Sequence, residues 1–153
     1  MGVRLLLALA CALATAPVFA QTFRVDDSAS QVLGGTLRLK PITPMPHGEL
    51  ATALFGETGV LVRLDVAPWK GRRGRIYMTL PQQPDGHVVA AWKTQGRLLP
   101  GVVRSGERTL VYAGPIEADM LEDTLRLRIQ ADGSGLVRGQ QLAFSFEIDL
   151  DAP

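Results

Sequence analysis

The stretch Leu142-Ala143-Phe144-Ser145-Phe146-Glu147-Ile148-Asp149-Leu150 alternates with almost no error. Leu142, Phe144, Phe146, Ile148 and Leu150 fall on one face. Ala143, Ser145, Glu147 and Asp149 fall on the other. A period of two is the signature of a β-strand with one buried and one wet face. Five apolar side chains on one face must be covered by something. Such a strand either completes its own sandwich or borders a groove that another chain fills.

Working back along the chain, the same pattern recurs. Thr36–Lys40, Val60–Val66, Arg75–Leu80, His87–Trp92, Arg108–Ala113 and Asp123–Gln130 each alternate apolar and polar residues. Leu110 and Tyr112 share one face of their run, and Leu50–Phe55 also leans to strand. Pro100 and Gly101 break Arg97–Val103, which marks an edge strand or a bulge. Turn residues separate these runs, notably Lys70–Gly74, Pro84–Gly86, Ser105–Gly106 and Asp132–Gly135. Short strands at this spacing predict an all-β antiparallel sandwich or barrel in one domain, residues 21–153. The one helical candidate is Pro115–Leu121, where Pro suits a first turn and Glu117 and Asp119 suit a helix N-terminus. Pro41, Pro44 and Pro46 make Pro41–Gly48 an extended loop.

The N-terminus reads as a secretory signal, residues 1–20. Met1–Arg4 is a short basic region and Leu5–Ala16 an apolar run of 12 residues. Val18 and Ala20 then place small residues before a cleavage point at Gln21. A spanning helix needs roughly 20 apolar residues, and Pro17 interrupts this run, so no stable membrane anchor is expected after cleavage. The single cysteine, Cys11, lies within the signal. Ala8 stands where a lipidation signal normally has Leu, which argues against a lipoprotein. Without cysteine, the exported domain must be held by its core. Removing Arg4 with the signal leaves 15 basic and 15 acidic residues. Formal neutrality argues against a nucleic-acid partner, which needs a basic excess.

Catalytic signals are poor. His47 and His87 are the only histidines, and neither has a second His or a Cys at metal-ligand spacing. Met45 and His47 are too few to form a copper site, and Met78 falls on a core face. There is no nucleophile elbow and no phosphate loop. The acidic run Glu117, Asp119, Glu122 lacks calcium-loop spacing. No catalytic residue, metal or cofactor is expected. The sharpest surface feature is Trp69 followed by Lys70, Arg72, Arg73 and Arg75. A basic turn beside an aromatic could grip a polyanion. The plainer account is a solvated hairpin whose charges protect a sheet edge.

The stretch Leu125–Leu150 combines an alternating strand, a turn with Ala131, Asp132, Gly133, Gly135 and Leu136, and the terminal strand. With the cleaved signal and the domain size, this resembles subunits of bacterial chaperone–usher fimbriae, of a minor or accessory kind. The resemblance implies an immunoglobulin-like antiparallel β-sandwich that lacks its final strand. It implies a groove bordered by Leu142, Phe144, Phe146, Ile148 and Leu150. It also implies an N-terminal donor segment, Gln21–Leu33, that inserts Phe23 and Val25 into a neighbour. Partners would be a periplasmic chaperone, an usher and neighbouring subunits, at the periplasm or cell surface. Affinity in such strand addition comes from backbone hydrogen bonds, and specificity from alternate side chains in pockets. The chain departs from the pattern at Asp26 and Asp27, which interrupt the donor, and at its Asp151-Ala152-Pro153 ending. The alternative is a self-contained envelope module that binds a glycan or protein ligand through the Trp69–Arg75 turn or the Pro41–Gly48 loop.

Overall fold

A computed structural model describes residues 21–35, 37–41, 53–83, 87–132 and 142–152. The signal reading, Met45 and His47 lie outside these residues. The chain forms β1 (Thr22–Val25), β2 (Gln31–Leu33), β3 (Lys40–Pro41), β4 (Ala53–Asp65), β5 (Arg73–Thr79) and β6 (Val88–Thr94). It continues as β7 (Gly101–Arg104), β8 (Arg108–Pro115), β9 (Met120–Asp132) and β10 (Ser145–Leu150). Every pairing is antiparallel. Sheet A runs β1-β10-β5-β8, and sheet B runs β2-β4-β9-β6-β7 with β3 also on β4. The fold is the all-β antiparallel sandwich expected from the alternation.

The core lies between the sheets. Sheet A contributes Val25, Ile76, Met78, Phe146, Ile148 and Leu150, and sheet B contributes Val62, Leu64, Trp92, Leu125, Leu127 and Ile129, all buried. Each large aliphatic side chain taken out of water contributes about 1.5–3 kcal/mol. The alternation of β9 is therefore also its energetics: Leu121, Leu125, Leu127 and Ile129 face in, while Glu122, Arg126 and Arg128 face water.

Four local expectations are corrected. The described part of Leu50–Phe55 and the run from Val60 are not two strands but parts of one, the 13-residue Ala53–Asp65, paired along its whole length with β9. Of the expected strand Thr36–Lys40, Thr36 lies outside the described residues, and among Leu37–Lys40 only Lys40 enters a strand. Leu37 and Leu39 instead pack over Gly56, where an added Cβ would lie 2.9 and 2.8 Å from them. Pro115–Leu121 holds no helix: Pro115 ends β8, Ile116 is buried in the core, and Met120 begins β9. Leu110 and Tyr112 do not share a face. The register against β5 slips between Ile76 and Tyr77, so Tyr112 stands opposite Ile76 and Leu110 opposite Tyr77. The extra residue, Val111, turns inward and is fully buried, as a bulge permits. The edge-strand reading around Pro100 holds, with β7 beginning just after it at the border of sheet B.

Candidate functional site

The terminal strand β10 lies inside sheet A, with β5 on one side and β1 on the other. Phe23 stands opposite Ile148 and Val25 opposite Phe146. The segment expected to be a donor is thus paired with the strand expected to border its groove, within one chain. Val25 is fully buried, whereas Phe23 is 39% exposed. The Phe23 ring leans on Trp69 at 6.0 Å.

After Val25 the chain leaves sheet A. The Asp65 N–H donates to the Asp26 carbonyl at 2.9 Å, and β2 joins sheet B against β4. Upstream of Phe146, the β1 side of the terminal segment has no strand among the described residues. Here a cleft of about 560 Å³ lies between the sheets. Leu142, Phe144 and Phe146 line it, facing Leu37, Leu39 and Val60. Asp27, Ser30 and Thr58 supply polar groups. Three of the five expected groove residues therefore border an apolar cleft. Ile148 and Leu150 are buried in the closed core.

On the outer face of sheet A, polar side chains tie β1 down. Thr22 Oγ1 donates to Asp149 Oδ1 at 2.6 Å. Arg108 of β8 spans β5 to reach the same carboxylate, with Nη2 3.0 Å from Oδ2. Its guanidinium lies 4.2 Å from the Tyr77 ring centroid. Burial acts to raise the Asp149 carboxyl, but the hydrogen bonds from Thr22 and Arg108 outweigh it and hold the group below its ordinary value of 3.8. A depressed carboxylate adds stability above its unfolded pKa and loses it as pH falls through the folded one. Asp149→Asn is therefore expected to lower the urea midpoint at pH 7. The gap to the parent protein should close as pH falls below about 4. An undiminished gap at pH 2 would remove the charged network as its cause.

The side chains of the basic turn divide between paired and exposed cations. A 3-10 turn, Ala67–Trp69, leads into Gly71, which takes the left-handed φ of 84° that favours glycine. Lys70 pairs with Asp119 at 2.8 Å and Arg75 with Asp151 at 3.0 Å. Arg72 and Arg73 are exposed with no ion pair among the described residues. Trp69 packs against the core and Phe23 rather than standing free for a ligand.

His87 is exposed just before β6. Among the described residues, no three His, Cys, Asp or Glu side chains gather to hold a metal, and no helix is long and apolar enough to cross a membrane. One buried acid escaped the sequence reading. Asp123, 5% exposed, accepts the N–H groups of Leu98 at 2.8 Å and Gln95 at 3.2 Å, fastening the β6–β7 turn. Its signal was its parity, since it falls on the face of Leu125, Leu127 and Ile129. No protein-family model matches the sequence, and no curated protein matches it.

Proposed function

We propose that this chain is an exported, non-catalytic β-sandwich subunit that acts in fimbrial assembly or adhesion at the periplasm or cell surface. Assembly works by strand addition at β10. The observation that carries this reading is the pairing of Phe23 with Ile148 and of Val25 with Phe146. The chain's own N-terminal segment occupies the place that a neighbour's segment would take. It is a short clasp, four residues long, and only Val25 is buried. Burial of one Val contributes about 1.5–3 kcal/mol, so the clasp is within reach of exchange. A second copy's β1 would make the same backbone bonds, which is the low-cost route of domain swapping. A chaperone and an usher are the partners this route calls for.

The 560 Å³ cleft favours a second reading, a self-contained module with an apolar ligand between its sheets. Its volume falls within the range of small-molecule sites, about 300–1,000 Å³.

One experiment separates them. A fluorescent peptide of residues 21–33 is added to the purified protein. Strand exchange predicts slow, saturable incorporation, and none with a peptide carrying Val25→Asp. A protein that stays monomeric at high concentration, unfolds cooperatively and takes up no peptide overturns strand exchange and leaves the second reading.

A further inference from the structure

On the outer face of sheet B, strand register sets side chains in rows. One row runs Leu33, Gly59, Arg126, Lys93. The next runs Glu57, Arg128, Ala91, Val102. In the first row, two cations of neighbouring strands stand directly opposite each other. Side chains so placed start from Cβ atoms about 5 Å apart, and like charges there repel. Nothing in the row offsets them: Gly59 has no side chain, and Leu33 is apolar. The other outward arginines of β4 and β9 are matched by acids. Arg63 meets Glu122 at 2.8 Å and Arg128 meets Glu57 at 2.6 Å. Lys93 and Arg126 are exposed and have no ion pair among the described residues.

They line a shallow hollow of about 570 Å³, with the Glu57–Arg128 pair on the same border and Pro100, Gly101 and Val102 forming an apolar side. Val102 is 42% exposed. Unbalanced positive charge thus borders an apolar shelf.

We propose that this hollow binds a phosphate monoester, with Arg126 and Lys93 holding the phosphoryl oxygens and the Val102 shelf covering the attached carbon skeleton. The charge count selects the ligand. The one acid of the lining, Glu57, is paired with Arg128, so Lys93 and Arg126 leave an excess of two positive charges; this calls for about two negative charges, which a phosphate monoester supplies near pH 7. A carboxylate or a sulfate ester brings one and would leave the repulsion half relieved. The Arg fork donates two parallel N–H bonds to such a group, and Lys adds a point charge. The site is on the opposite sheet from the strand seam and does not depend on strand exchange.

The phosphoryl group could arrive free or on a lipid, and the test has an arm for each. Thermal unfolding is followed against inorganic phosphate at fixed ionic strength, with chloride as control. In parallel the protein is sedimented with phosphatidylcholine vesicles, with and without phosphatidic acid. The expected result is a saturable rise in Tm with phosphate, or retention only on phosphatidic acid if the lipid is the source. Lys93→Gln and Arg126→Gln are each expected to weaken binding about tenfold. Without phosphate, both variants should melt no lower than the parent, because the repulsion is gone. Absence of binding in both arms overturns the proposal. So does unchanged binding in Lys93→Gln and Arg126→Gln, or its loss in Arg72→Ser/Arg73→Ser.

Discussion

Ile148→Ala is expected to lower the free energy of unfolding by about 3–4 kcal/mol, near the upper part of the range for large-to-small core changes. Ile148 is fully buried. By register it stands between Phe23 of β1 and Ile76 of β5. It also fills the space over Gly74, where an added Cβ would lie 3.1 Å from its Cδ1. Neighbours held by two strands cannot collapse into the vacancy, so the cavity term adds to the lost transfer energy. Urea unfolding at neutral pH measures this, with an unchanged slope as the check on two-state behaviour. The result bears on the seam directly. A loss below about 1 kcal/mol would be the behaviour of a surface position and would mean that β1 does not cover β10 in solution.

Asp123→Ala is expected to cost about 2–4 kcal/mol, since it strands two backbone donors that the carboxylate satisfies. The Leu98 N–H is buried and has its bond at 2.8 Å from Oδ2. The turn is built closely around the acid: a Cβ on Gly96 would sit 3.1 Å from the Asp123 carboxyl carbon. Asp123→Asn keeps one acceptor oxygen and should lose roughly half as much. Hydrogen exchange at Leu98 gives the local readout, with faster exchange in the Ala variant than in the Asn variant. Equal protection in all three proteins would show that the turn holds without the side chain.

What was legible in the sequence was whatever depends on neighbouring residues. The β9 alternation from Leu125 to Ile129, the inward Met78 and the break at Pro100 follow from side-chain period and proline chemistry alone. What was hidden depends on the partner strand. Leu37 and Leu39 alternate like a strand, but Gly56 admits them as packing residues without a ladder. Leu110 and Tyr112 keep their spacing, yet the bulge at Val111 turns them to opposite faces. Pro115 fits a helix start as well as a strand end, and the burial of Ile116 decides between them. At the candidate sites, Phe23 and Val25 fall in β1, but of the alternating run Leu142–Leu150 only Ser145–Leu150 is strand, and Leu142–Phe144 lie along the cleft outside the ladder. The cleft between the sheets and the opposition of Lys93 and Arg126 come from register, which no single segment encodes.

The bond from Thr22 to Asp149 joins positions 127 residues apart. Sheet A contains both of the outermost described strands of the chain, and β10 sits between β1 and β5. Sheet A therefore cannot grow outward from a local hairpin nucleus. The β4–β9, β6–β9 and β5–β8 ladders can form first, but β1 has no partner in sheet A, and β5 has only one, until β10 arrives. Contacts of such long sequence separation place folding in the slow, millisecond-to-second class. During that wait the apolar faces of Ile76, Met78 and Val25 stand uncovered. The order of synthesis thus becomes an order of risk: β10, made after every other described strand, is the one that ends the exposure.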